Sequence, residues 1–191
     1  MSRRSSSTLI SNVAWWAGID PFGLNRLVSD GSGYDIACAR SGSPLFYKLS
    51  ASVYETEKIR FLPAFHEHLA FIYLGRKQDT FSEIKRFVPD LKSLAPQIDT
   101  ISEISSRIAE TGSLGTFNNL IDQHEDIISG LINREMVKDL LFPDFNGSIK
   151  SLGAWGGDFI LASSPGNYLA TISYFKEKGY PVAFAWKEII R

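Results

Sequence analysis

A single cysteine, Cys38, occurs among 191 residues, so no intramolecular disulfide can form. With alanines on both sides, Cys38 is expected to be a small buried residue, not a nucleophile or metal ligand. Neither charge is in surplus: the formal net charge of -1 gives no general attraction to nucleic acid or to an anionic membrane, and neither is expected as a partner. No apolar run approaches the length of a bilayer span, and the basic Arg3-Arg4 pair runs into serines where a signal peptide would have an apolar core. The cytoplasm is the expected location. Nothing repeats at a fixed period, which argues against a solenoid. What is present is ordinary for a globular chain: 44% hydrophobic and 21% charged residues, long enough for one or two domains with a sizeable core.

The centre of the sequence is Gly31 to Ala39, GSGYDIACA. Two glycines around a serine permit positive φ and a close approach of backbone to ligand, and they present one carboxylate, Asp35, at the start of an apolar run. An Asp so placed can orient or deprotonate a hydroxyl nucleophile; the same spacing also describes a surface turn in which Asp bonds nearby N–H groups. Near the N-terminus, Ser5, Ser6, Ser7 and Thr8 run into a helical pattern with Ile10, Val13, Ala14 and Ala17 on one face. The free N–H groups of such a helix start favour phosphate, with serine hydroxyls as donors or magnesium ligands; a disordered serine-rich start is the alternative. Near the C-terminus, Gly153 to Asp158, GAWGGD, lies between two strand-like segments, as an anion-facing turn or simply a hairpin.

These three stretches, in this order, resemble the motifs of the GHMP small-molecule kinases, the family of galactokinase, homoserine kinase and mevalonate kinase. The match is closest to the bacterial branch named for its GYDIA signature, here Gly33 to Ala37, and the resemblance covers essentially the whole chain. It implies a cytoplasmic ATP- and Mg2+-dependent kinase that transfers the γ-phosphate to a small alcohol or phosphorylated metabolite such as mevalonate or phosphomevalonate. Asp35 would be catalytic, Gly33, Tyr34 and Thr80 would face the substrate, and Ser5, Ser6 and Ser7 would hold the phosphates, with Ser6 near the metal. Gly153, Ala154, Gly156 and Gly157, following Lys150 on a strand, would shape the phosphate pocket. The chain departs from the family where two glycines of the phosphate loop fall on Ser2 and Arg4, and where Leu24 to Ser29 offers no acidic magnesium ligand. The family's N-terminal portion, with the adenine-side wall, has no counterpart in it. The other expectation is therefore a truncated, non-catalytic kinase remnant acting as a binding or interaction module, with apolar surface around Val13, Trp15 and Trp16 that drives self-association, as in a homodimer.

Elsewhere the patterning is structural. His66 to Gly75 reads as a strand that becomes buried, with His66 and His68 on one face either as a paired metal ligand or, preferably, as a half-exposed strand end. Thr80 and Glu83 form a capping box for a helix ending before Pro89. Ile98, Ile101, Ile104 and Ile108 mark one helix, and Leu114, Phe117, Leu120, Ile121, His124, Ile128 and Leu131 the next, with His124 on or beside the stripe. Met136 to Leu141 predicts a short helix, Ser148 to Leu152 and Phe159 to Ala162 two strands, Pro165 to Phe175 a helix, and Tyr180 to Trp186 a closing strand. The expected architecture is α+β: residues 1–62 as the remnant of the GHMP N-terminal, ATP-binding domain and 63–191 as a ferredoxin-like α/β sandwich, with the site in the cleft between them.

Overall fold

The computed structural model describes residues 6–28, 31–50, 53–75, 93–153 and 158–190. The chain divides into two compact units, Met1–Phe61 and Leu62–Arg191.

In the first unit, α1 (Ser6–Ala17), α2 (Pro21–Val28) and α3 (Tyr34–Ser41) are followed by a hairpin of β1 (Leu45–Ser50) and β2 (Val53–Lys58). The strands pair antiparallel from Leu45↔Lys58 to Ser50↔Val53. Asp20 starts α2, because its carboxylate accepts the N–H groups of Phe22 (3.3 Å) and Gly23 (2.7 Å) ahead of a proline whose missing N–H costs the first turn nothing. A small core of Phe22, Ile36 and Ala37 is closed by Ile10, Leu45 and Tyr47. Two expectations are corrected. The inward face of α1 runs through Ser7, Ile10 and Ala14, leaving Val13 and Ala17 exposed. Cys38 is exposed, because the turn of α3 that buries Ile36 and Ala37 carries the next residue outward.

The second unit opens with a 3-10 turn at His66–His68 and continues as β3 (Leu69–Tyr73), α4 (Ala95–Glu110), α5 (Leu114–Ile132), α6 (Val137–Leu141), β4 (Ser148–Leu152), β5 (Phe159–Ser163), α7 (Tyr168–Glu177), β6 (Ala183–Ala185) and α8 (Trp186–Ile189). Its four-stranded sheet is antiparallel in the order β4-β5-β3-β6, the ferredoxin-like arrangement. One face buries Ile72, Ile149 and Ile160 against Phe142, Phe145 and Phe175. On the other face α5 reaches the sheet through Asn118, whose carbonyl accepts from Ser148 Oγ (3.3 Å) and whose Oδ1 accepts from Ser163 Oγ (2.6 Å). Gly147 permits the entry into β4, since a Cβ there would stand 2.2 Å from the Ser163 carbonyl oxygen.

The isoleucine-spaced helices lie where their periodicity places them, with Ser113 capping α5 by accepting the Thr116 N–H (3.3 Å). Three boundaries differ. The strand expected from His66 begins only at Leu69, so the two histidines occupy a tight turn and do not share a strand face. The helix expected from Pro165 starts at Tyr168, where Asn167 Oδ1 accepts the Ala170 N–H (3.1 Å) and provides a cap that proline lacks. The closing strand is only Ala183–Ala185, and Trp186 begins a last helical turn. The Thr80–Glu83 capping box lies outside the described residues. No helix among the described residues is long and apolar enough to cross a membrane.

Candidate active site

The GYDIA stretch is held from three sides. Gly33 takes φ +81 and ψ 3, a left-handed conformation that L side chains rarely adopt, and a Cβ there would press to 3.1 Å from the Phe22 ring. From that residue α3 begins: the Gly33 carbonyl accepts the N–H groups of Ile36 and Ala37, each at 3.1 Å. Buried Asn25 donates to the Gly31 carbonyl (3.4 Å), Tyr47 Oη donates to the Ser32 carbonyl (2.5 Å), and Ser32 Oγ accepts the Tyr34 N–H (3.3 Å). The Tyr47 ring meets Tyr34 edge-on and stacks with Tyr54, which stacks in turn on Phe22 at 3.8 Å. A four-ring brace therefore fixes the turn.

On this brace Asp35 stands exposed in the first turn of α3, where the helix dipole favours its negative charge. Beside it, the Tyr34 phenol is pushed up to about 12, first by its hydrogen bond with the Cys38 thiol, then by burial, then by the charges of Cys38 and Asp35. Tyr34 is thus neutral throughout the physiological range and able to donate a hydrogen bond, while Asp35 is free to accept one. A cleft of about 460 Å3 lies in the same unit, lined by Phe22, Arg40, Tyr54, Thr56 and Lys58 among others. Asp35 is not part of that lining, because it projects from the opposite face of α3.

Of the other sequence-predicted residues, Ser6 opens α1 and Ser7 is buried in its first turn, and α1 packs on α3, so both belong to the unit that carries Gly33, Tyr34 and Asp35. Gly153, at φ +69, lies in the second unit at the end of β4. Ser5, Thr80, Ala154, Gly156 and Gly157 lie outside the described residues. His66 Nδ1 pairs with the Pro63 carbonyl (3.1 Å) and His68 Nδ1 with the Gly166 carbonyl (2.9 Å). Among the described residues no group of three or more His, Cys, Asp or Glu side chains could hold a metal ion.

Sequence reasoning missed one constellation next to Gly153. Glu125, only 2% exposed in the middle of α5, accepts from Lys150 Nζ (2.8 Å) and from the Ser151 N–H (3.1 Å), both on β4. Lys150 Nζ also donates to the Ser151 carbonyl (3.1 Å). His124 Nδ1 lies beside the carboxylate, 3.6 Å from Glu125 Oε1. Burial alone would push the Glu125 carboxyl up; His124, Lys150 and the Ser151 N–H outweigh it and hold the group below its ordinary value. The signal was present in the sequence: Glu125 falls four residues after Ile121 and three before Ile128, on the apolar stripe, where a carboxylate needs a partner.

Comparison with solved structures places the fold. A Lin0012 protein from Listeria innocua superposes with a TM-score of 0.60 and 18% identity, over 96% of this chain and 61% of that one. L. major mevalonate kinase, solved in complex with R-mevalonate, superposes with a TM-score of 0.59 and 15% identity, over 86% of this chain and 55% of that one. The chain has a GHMP-kinase-like fold. Within that fold it spans about three-fifths of the length of the solved structures it matches. No family model and no curated protein matches the sequence.

Proposed function

We propose that this chain carries the phosphoryl-transfer site of an ATP-dependent small-molecule kinase whose acceptor is a small alcohol or a phosphorylated metabolite such as mevalonate or phosphomevalonate. The observation that supports it is the union of a mevalonate-kinase-like fold with an exposed carboxylate held on the rigid GYDIA turn. Asp35 accepts the proton of the acceptor hydroxyl, or its hydrogen bond, as that oxygen attacks the γ-phosphorus and ADP leaves. Tyr34 and Gly33 border the acceptor, and the start of α1, with Ser6 and Ser7, receives the phosphates. Mg2+ would enter bound to ATP, with Ser6 at the start of α1 as its neighbour in the chain, and would neutralise charge on the phosphates. The cytoplasm, where ATP is available, is the proposed location.

The test is incubation with MgATP and a panel of small alcohols and their monophosphates, with mass-spectrometric detection of products. One phosphorylated acceptor formed in step with ADP is the expected result. Because Ser2 and Arg4 stand where the family's phosphate loop has glycines, binding of MgATP to this chain is expected to be weaker than micromolar by calorimetry. Absence of any product across the panel would sink the kinase reading.

A second reading, a non-catalytic binding module that self-associates, is favoured by the surface of the first unit. Trp15 and Trp16 are 85% and 83% exposed, and Leu9, Leu27 and Val28 are also largely uncovered. Light scattering should show mass rising with concentration, and Trp15→Lys with Trp16→Lys should return the chain to a monomer. A parent chain that stays monomeric at high concentration and binds no hydrophobic dye would remove this reading.

A further inference from the structure

The carboxylate of Glu125 is almost wholly buried, yet it grips two consecutive residues of one strand: the side chain of Lys150 at 2.8 Å and the main chain of Ser151 at 3.1 Å. That strand, β4, is the terminal strand of the four-stranded sheet, so one of its edges has no strand beside it among the described residues. Two residues beyond Ser151 the chain turns left-handed at Gly153, φ +69, and enters the glycine-rich stretch. Lys150 closes the arrangement by donating to the Ser151 carbonyl (3.1 Å), so both main-chain polar groups of Ser151 are tied to the ion pair.

A buried ion pair is a poor way to attach a helix to a sheet. Desolvation of both charges offsets most of their attraction, and apolar residues of similar volume usually hold as well or better. What the charges add is direction, since charge-assisted hydrogen bonds are short and fix orientation where apolar contacts permit sliding. Direction matters where backbone amides must point at an anion, because a displacement of about 1 Å at a reacting group can cost about a hundredfold in rate.

We propose that Glu125 is a positioning residue: through Lys150 and the Ser151 amide it sets the end of β4, and with it the angle at which the chain enters Gly153. This rests on the phosphotransferase reading given above. Glu125 touches neither substrate nor ATP and acts only through the strand it holds.

The deciding variant is the double replacement Glu125→Leu with Lys150→Met, which removes both charges and keeps the volume. Three quantities are read: the melting temperature, NMR-detected hydrogen exchange of the Ser151 amide without nucleotide, and kcat/KM for MgATP taken from initial slopes. The expected result is a folded variant that melts a few degrees lower, because the buried Ser151 N–H loses its acceptor, with exchange at Ser151 at least about tenfold faster and kcat/KM lower by about ten- to a hundredfold. A folded variant with kcat/KM unchanged overturns the proposal, whatever its exchange, because the grip would then be structural only. If the parent itself transfers no phosphoryl group, the kinase reading falls, and Ser151 exchange decides by itself whether Glu125 holds the strand: unchanged exchange overturns that too. Should the double variant fail to fold, Glu125→Gln, which keeps the shape and one acceptor oxygen, is read by the same criteria.

Discussion

Asp35→Asn should lower phosphoryl-transfer turnover by about two to four powers of ten while leaving the fold in place, the range expected when a positioned acid–base group is removed. The amide has the shape of the carboxylate but cannot take the hydroxyl proton. Asp35 is exposed and makes no contribution to the core of Phe22, Ile36 and Ala37, so the stability cost should be confined to its favourable place in the first turn of α3, about 0.3–1 kcal/mol. Steady-state rates beside thermal unfolding of the same variant separate the two possible roles. Near-normal turnover with a lowered melting temperature would make Asp35 a turn residue and leave the kinase assignment resting on the fold and the glycine-rich turns.

Phe142→Ala should produce the largest loss of stability. Phe142 is fully buried between α6 and β4, and its ring meets Phe175 edge-on at 4.8 Å and Tyr180 at 5.2 Å. Truncation removes the transfer free energy of the ring and leaves a cavity that three neighbouring aromatics are too rigid to fill, about 3–5 kcal/mol. In a chain of this size that corresponds to a fall in melting temperature of roughly 6–20 °C. Trp16→Ala, which removes a larger but 83% exposed ring, should change stability by less than about 0.5 kcal/mol. A small shift for Phe142→Ala, comparable to that of Trp16→Ala, would mean that the second unit does not close around this ring. Calorimetric scans of the two variants settle the comparison.

The elements that could be read from the sequence are those whose signal is local. Ile98, Ile101, Ile104 and Ile108 repeat with the helical period, and α4 spans them; Ser113 followed by a periodic run starts α5. The GYDIA glycine could be read because a left-handed residue ahead of a helix is a property of one backbone position, and Gly33 supplies it. The misreadings arise where a local pattern has two solutions. His66 to Leu74 runs from polar His-Glu-His into an apolar stretch and reads as a strand that becomes buried, but the chain first makes a 3-10 turn that leaves Phe65 and Leu69 buried on either side of it. Cys38 between two alanines has no local mark to distinguish inside from outside, and only the packing of Ile36 and Ala37 decides it.

The sequence by itself determined the α+β class, the long helices of the second unit, the left-handed turn at Gly33 and the identity of the carboxylate that this turn presents. All of these depend on residues within about four positions of one another, where propensity, capping and periodicity act. Only the tertiary structure decided that β4 is the terminal strand, that Tyr47 and Tyr54 brace the turn bearing Asp35, and that Glu125 meets Lys150 across 25 residues of chain. Such contacts depend on loop closure and on what else competes for the same buried volume, and no short window of sequence carries that information. The buried carboxylate on the α5 stripe shows where the two meet: the sequence marks Glu125 as a charge that needs a partner, and the fold names the partner.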